Sequence, residues 1–199
     1  MTKIGIIGAG KIGKAFARHA AKAGYDTLIS NSRGPESLRP VVEEIGQGIK
    51  AGTTQEAAAA DIVFLAVPWN KLEEAVAHVP SWENRVVIDA TNAVLPGFVP
   101  ADLDGQASSE VVASLLPGSK VVKAFNTLLA AVLAANPQEE GGNRVIFYSG
   151  NDAEAKRTVL DLINRIGFAG VDLGTLNEGG RLQQFPGGPL PALNLVKLK

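Results

Sequence analysis

Apolar and polar positions alternate between two regimes along this chain. Short β-branched runs at 3–7, 27–30, 62–67, 85–89, 120–124 and 144–149 read as strands. The run Ile62-Val63-Phe64-Leu65-Ala66-Val67 is apolar throughout. That suits a strand buried on both faces, in a parallel sheet covered by helices on each side. Between the strands the spacing turns helical. In 11–23, Ile12, Phe16, His19 and Ala23 share one stripe, Lys11, Lys14, Arg18 and Lys22 take the other, and Gly24 closes the pattern. Further helices are expected at 35–45, 72–78, 108–116, 127–135 and 152–166, the first with Pro35 in its opening turn. Strand alternating with helix means βαβ units. The expected fold is α/β: a single Rossmann-type, doubly wound domain over 1–199 with a mostly parallel sheet. From Gly179 to the end, Gly and Pro are too frequent for one regular element. This segment, 179–199, is expected to be an irregular apolar tail that packs on the body or on a second subunit.

The first strand runs directly into Gly8-Ala9-Gly10-Lys11-Ile12-Gly13, which opens the first helix. In that context Gly8 allows the tight turn, Gly10 allows close approach of backbone to a pyrophosphate, and Gly13 allows close helix–strand packing. The free N–H groups of the helix start, with its dipole, then face the phosphates. Lys11 reads either as a phosphate neighbour or as a solvated lysine. An NAD site places a carboxylate about twenty residues further on, for the ribose 2′-hydroxyl. Here that place holds Ser30-Asn31-Ser32-Arg33. A hydroxyl and a guanidinium suit a 2′-phosphate instead, so the expected cofactor is NADP(H).

Composition narrows the chemistry. Nineteen Lys plus Arg against twenty Asp plus Glu give a net charge of −1, which offers no field to gather nucleic acid or an anionic membrane. The chain has no cysteine, which removes disulfides, thiolate nucleophiles, Cys-ligated zinc and iron–sulfur clusters. The two histidines do not form a metal pair, and no metal is expected. The apolar run after Lys3 breaks at Gly8 and no membrane-length stretch follows, so a cytoplasmic protein is expected.

Several polar or flat side chains fall just past expected strand ends, where ligands sit in open α/β sheets. They are Pro68, Trp69, Asn92, Asn126 and Thr127. Trp69 is either a platform for a ring or a packing aromatic. Asn126 and Thr127 either orient a ligand or cap the next helix. His19 reads as a satisfied boundary histidine, and Asp89, at the end of a buried strand, receives no role.

Taken in order, Gly8 to Gly13, Asn31-Ser32-Arg33, Ala66-Val67-Pro68-Trp69, Ile88-Asp89-Ala90-Thr91-Asn92, Lys123-Ala124-Phe125-Asn126-Thr127 and Gly150-Asn151-Asp152 resemble the NADPH-dependent coenzyme F420 oxidoreductases and their bacterial relatives. The same series is similar to the cytosolic domain of the STEAP metalloreductases. The resemblance implies an NADPH site at the strand ends, with an acceptor ring laid against the nicotinamide. By position it implies that Ser32 and Arg33 hold the 2′-phosphate and that Val67, Pro68 and Trp69 lie beside the nicotinamide; Ala66 and Asn92, at the same strand ends, are expected to border the cofactor as well. From their places past the strand ends, Trp69, Asn126 and Thr127 are expected to face the acceptor, F420 or a flavin. The tail from Gly180 departs from the helical ending of the archaeal enzymes, which leaves the acceptor open.

Three functions fit these residues. The first is hydride transfer from NADPH to a deazaflavin or flavin. The second is reduction of a cyclic imine, as in pyrroline-5-carboxylate reductase, which uses a helical C-terminal domain for which the residues after Leu173 are too few. The third is a non-enzymatic NADP(H) sensor. The first is the expected one, with no general acid or other catalytic side chain assigned. The expected partners are a small-molecule redox acceptor and, from the apolar tail, a second copy in a homodimer.

Overall fold

The computed structural model describes residues 2–199. Its elements in chain order are β1 (Lys3–Ile7), α1 (Lys11–Lys22), β2 (Asp26–Ser30), α2 (Arg39–Ile45), β3 (Ile49–Ala51), α3 (Thr54–Ala58), β4 (Ile62–Leu65), α4 (Leu72–Val76) and β5 (Val86–Asp89). A hairpin of β6 (Val94–Leu95) and β7 (Val99–Pro100) follows, then α5 (Ser108–Leu115), β8 (Lys120–Ala124), α6 (Ala130–Ala134), β9 (Gln138–Glu139) and β10 (Gly142–Gly150). The chain closes with α7 (Ala153–Arg165), β11 (Ala169–Asp172), α8 (Glu178–Gln183) and β12 (Val196–Leu198).

The main sheet has the order β11-β10-β8-β5-β4-β1-β2-β3. From β3 to β8 all pairings are parallel, whereas β10 meets β8 antiparallel and β11 follows β10. The chain winds outward from β1 to β3, returns to β4, and then winds the other way. Strand order therefore reverses between β1 and β4, and the loops leaving those two strands diverge around a crevice. This is the doubly wound, mostly parallel α/β fold expected from the sequence, with an antiparallel extension.

Strand alternation sorts the side chains into two cores. Ile4, Ile6, Ile62, Phe64, Ile88 and Val122 face one side, with Phe16 of α1 and Leu162 of α7. Ile7, Val63, Leu65, Val87 and Val121 face the other, with Leu72, Val76 and Val112 of α4 and α5. On the first side the Phe16 and Phe64 rings stack at 3.8 Å, and Phe125 meets both edge-on at 5.3 and 5.6 Å. Each such ring contributes about 1.5–3 kcal/mol through burial, and each aromatic pair about 0.5–1.5 kcal/mol more.

Several boundaries differ from the sequence expectation. The stretch expected as one helix over 35–45 is a 3₁₀ turn (Pro35–Leu38) followed by α2, because Pro40 has no N–H to continue a single ladder. The strand over 62–67 stops at Leu65, leaving Ala66 and Val67 to begin the turn. The helix over 127–135 starts only at Ala130, with Leu129 as its N-cap and no capping side chain, so Thr127 is not a cap. The segment 179–199 is also less irregular than its Gly and Pro content suggests. Residues 178–183 form α8 with Gly179, Gly180 and Gln183 buried, and β12 pairs antiparallel with β10.

Candidate functional site

The turn between β1 and α1 shows why each glycine is needed. Gly8 takes φ +113°, and a Cβ there would lie 2.2 Å from the Ala66 carbonyl oxygen, so the loops leaving β1 and β4 touch only because no side chain intervenes. A Cβ on Gly13 would lie 1.9 Å from the Gly8 carbonyl oxygen, so α1 packs directly on the turn. Gly10 is different. A Cβ there would meet nothing within 4 Å, so its face looks into open space. Gly10 is the N-cap of α1 and no side chain caps the helix, which leaves the N–H groups of its first turn free to receive an anion. Ala9 and Ile12 are half-buried beside this turn, while Lys11 is exposed on the first turn.

At the end of β2, the Ser30 hydroxyl donates to the Ile6 carbonyl at 2.9 Å, which ties the strand end to β1. The Asn31 carboxamide oxygen accepts the Arg33 backbone N–H at 2.9 Å, folding 31–33 into a turn that leaves Ser32 and Arg33 exposed. The Arg33 guanidinium makes no hydrogen bond or ion pair among the described residues. Gly10, Ser32 and Arg33 thus follow the ends of neighbouring strands, and in a dinucleotide the adenosine ribose joins the pyrophosphate at the helix start to a 2′-group beside the second strand.

Past β4, Ala66 N–H donates to the Ile7 carbonyl at 2.9 Å. Val67 is half-buried, Pro68 is exposed, and Trp69 packs partly against the second core. Trp69 therefore serves packing in part, and its remaining surface lies at the same strand end.

The ends of β5 and β8 hold a buried polar network that no local sequence pattern could assemble. Asp89 and Lys123 are register partners in adjacent parallel strands and both side chains are fully buried. Lys123 Nζ donates to Asp89 Oδ2 at 3.2 Å and to the Thr91 carbonyl at 3.1 Å. Asp89 also accepts the Thr91 N–H at 2.9 Å, the Thr91 hydroxyl at 2.7 Å and the Ser109 hydroxyl. With its partners supplied, this pair fixes the 89–92 loop, whereas leaving either charge alone would cost about 3–5 kcal/mol. Asp89 thus gains a structural role, and Lys123, fully buried, is committed to Asp89 and the Thr91 carbonyl.

From that loop the network continues outward. Asn126 Nδ2 donates to Asn92 Oδ1 at 3.0 Å and to the Gln183 carbonyl at 2.7 Å, while Asn92 Nδ2 donates to the Asn126 carbonyl at 3.3 Å. Phe125, in the left-handed region at φ +65°, makes the sharp turn that sends its ring into the core, Asn126 toward α8 and the Thr127 carbonyl to the Ala192 N–H. Asn126 and Thr127 are 5% and 3% exposed, so the two expected ligand-facing groups are covered by the C-terminal segment. That segment, with Gln183 and Ser149, was missed in the sequence, since nothing in its spacing shows which face a short Gly-rich helix buries.

His19 lies away from these strand ends. Its Nε2 pairs with the Leu133 carbonyl at 2.7 Å and its ring meets Phe168 edge-on. Burial pushes its pKa below the ordinary value, partly offset by that hydrogen bond. Among the described residues no group of three or more His, Cys, Asp or Glu can hold a metal ion. No described helix is long and apolar enough to cross a membrane.

Residues 3–93 match the family model described as "NADP oxidoreductase coenzyme F420-dependent". The chain is 31% identical over 198 residues to the F420-dependent NADP reductase of Methanocaldococcus jannaschii, covering 88% of this chain and 85% of that protein. It is 28% identical over 198 residues to rat metalloreductase STEAP3, covering 98% of this chain but only 38% of the relative, so it spans little more than a third of that protein's length. Among solved structures, a hypothetical protein from Sinorhizobium meliloti superimposes with TM-score 0.94 at 51% identity, covering 99% of this chain and 96% of that one.

Proposed function

Since the chain belongs to the family of F420-dependent NADP oxidoreductases, we propose that it transfers hydride between NADP(H) and a flat ring acceptor, a deazaflavin such as F420 or a flavin. The observation that carries this reading is the cradle at Gly10: an uncapped helix start with open space where a Cβ would sit. The residues present fit a dinucleotide. Gly8, Ala9, Gly10, Lys11, Ile12 and Gly13 form the pyrophosphate turn, Asn31 holds the turn that presents Ser32 and Arg33 to a 2′-phosphate, and Ala66, Val67, Pro68 and Asn92 border the nicotinamide end.

NADPH, when bound, supplies a hydride from its dihydronicotinamide ring. The chain's own work is then positional: Gly10 and the helix start anchor the phosphates, Arg33 and Ser32 select the phosphorylated ribose, and the Asp89–Lys123 pair holds the 89–92 loop against the nicotinamide end. Reduction of a ketone needs an acid beside the developing oxyanion. Lys123, at the end of β8, is fully buried and committed to Asp89 and Thr91, and Tyr148 is buried within β10. A ring acceptor that delocalises charge and takes its proton from water makes no such demand.

The exposed apolar residues Phe98, Val99 and Leu198 support a homodimer as the working form, and the chain's composition supports a cytoplasmic one. The direct test offers NADPH with F420, FMN, FAD, riboflavin and a cyclic imine side by side, following NADPH consumption. Oxidation with at least one ring and none with the imine is expected. Oxidation with the imine alone would refute the ring assignment.

A further inference from the structure

The helix α1 is about 18 Å long, with the Gly10 turn at one end. At its other end, the last turns of α1 and α7 and residues 136–138 border a cleft of about 240 Å³. His19, Lys22, Arg165, Asn136 and Gln138 line it, and no carboxylate does. Basic side chains at a helix C-terminus have an ordinary explanation, since each helix ends in free carbonyls and about half a negative charge. Here the carbonyls are already served. The Ala23 carbonyl accepts Arg165 Nε and Nη2 at 3.3 and 3.2 Å, and the His19, Ala21 and Asn164 carbonyls accept the N–H groups of Ala23, Gly24 and Gly167. The Gly167 carbonyl accepts Asn143 Nδ2, and the Asn136 and Pro137 carbonyls accept Nε and the backbone N–H of Arg144.

Donors are what remain. Lys22 Nζ makes no hydrogen bond or ion pair among the described residues. Asn136 Oδ1 accepts the Gln138 N–H at 3.2 Å, which assigns the amide and leaves its Nδ2 hydrogens to donate. The Arg165 guanidinium lies over the Tyr25 ring at 4.6 Å and keeps Nη1 unpaired. His19 adds a donor that depends on pH. A carbonyl only accepts, so Nε2, 2.7 Å from the Leu133 oxygen, carries the proton of the neutral ring. Nδ1 has no partner and is not sealed from solvent, and on protonation it becomes a second N–H. The charged groups about the ring are Lys22 and Arg18 on α1, the latter paired with Glu44, and Arg165 on α7, while α6 and 136–138 bring none. Burial first, then the charges of Lys22 and Arg18, hold the His19 pKa below its ordinary value against the opposing effect of the Leu133 bond.

From two cations, a free amide donor and a ring that gains a charge and a donor together, with no acid beside them, we infer that this cleft binds a small oxyanion, a phosphoryl or carboxylate group, and that the anion enters together with a proton on His19. The anion offsets the like charges that disfavour the imidazolium, so each promotes the other's binding. Its occupant lies about a helix length from the cofactor turn and is therefore no reactant in the hydride transfer.

The test uses the two histidines of the intact protein, His19 and His78, as proton NMR reporters, the His19 signal being the one lost in His19→Gln. Titrations are run in sulfate, which has the shape of a phosphoryl group, in oxalate, a dicarboxylate, and in chloride at equal ionic strength, each with and without NADP⁺. Sulfate or oxalate is expected to raise the His19 midpoint by about one pH unit, which corresponds to about tenfold tighter anion binding by the protonated ring, while exposed His78 responds as it does in chloride. The anion that acts at the lower concentration tells a phosphoryl source from a carboxylate one. Lys22→Gln removes a charge that has no protein partner, so it should leave Tm in chloride little changed and weaken the anion's effect on His19 severalfold. The site is overturned if neither anion moves His19, if chloride moves it equally, or if the effect is undiminished in Lys22→Gln. An effect that vanishes once NADP⁺ is added would put the anion in the cofactor's phosphate positions and overturns the cleft as well.

Discussion

Gly10 and Gly13 stand three residues apart on the same turn, yet substitution should separate binding from folding between them. Gly10→Val puts a branched side chain into space with no protein atom within 4 Å of the Cβ position, on extended backbone at φ −73°, ψ −173°. Losing glycine at an N-cap costs about 1 kcal/mol, which lowers Tm by about 2–4 °C in a chain of this size. The same side chain fills the volume a pyrophosphate needs and keeps it from the helix N–H groups. Losing two charge-assisted hydrogen bonds removes about 3 kcal/mol or more, which weakens NADPH by over about a hundredfold. Gly13→Ala inverts the pattern, because its Cβ would lie 1.9 Å from the Gly8 carbonyl oxygen and neither backbone can yield without moving α1 off the sheet. A fall in Tm of about 10 °C or more, or insoluble protein, is expected. Thermal unfolding by circular dichroism and NADPH titration by calorimetry read both quantities on each variant. Gly10→Val protein that folds and binds NADPH normally would refute the placement of the phosphates.

Native protein should bind NADPH at least about tenfold tighter than NADH, with Arg33→Ala erasing most of the difference in calorimetric Kd; equal native constants would remove the 2′-phosphate assignment. Lys123→Met should cost about 3–5 kcal/mol by stranding the Asp89 charge, seen as a large loss in denaturant midpoint, and a near-native midpoint would contradict the buried pair. Any activity lost in Asp89→Asn should therefore track loss of folded protein, and a loss of kcat by about a hundredfold in fully folded enzyme would bring back proton-donating catalysis. His19, whose pKa is lowered by burial, takes up a proton less readily in the fold than in the unfolded chain, which does so near pH 6.5, so its contribution to stability is complete above that value and is lost as pH falls from there through the lowered folded-state pKa. In His19→Gln the decline of Tm between neutral and mildly acidic pH should be shallower; an unchanged slope would show that other groups set it.

The repeating units of the fold were legible because each rests on a local pattern. The β1–α1 turn combines an apolar run, three spaced glycines and an amphipathic helix, and all three signals agree on one geometry. Short peripheral elements were not legible: β3 has three residues and α3 has five, too few for either to show periodicity. The reversed direction of β10 was hidden as well, since an apolar run looks alike in either direction. Within the site, glycines and strand-end residues were found because they follow one another in sequence. The Asp89–Lys123 pair was not, because two charged residues 34 positions apart become partners only through the register of β5 on β8. Gln183 was missed for the same reason in stronger form: its importance comes from docking against Asn126 and Ser149, contacts that span 57 and 34 residues.

Direct hydride passage between NADPH and an acceptor ring held at the ends of β4, β5 and β8 is measured most directly by isotope transfer. NADPH carrying deuterium at each face of nicotinamide C4 in turn is oxidised with F420 as acceptor, and the reduced product is weighed by mass spectrometry. Deuterium from one face should appear at the deazaflavin carbon, with a primary isotope effect in single turnover. Reduced F420 without deuterium from either face, or oxidation of NADPH that requires an imine in place of a ring, would contradict it.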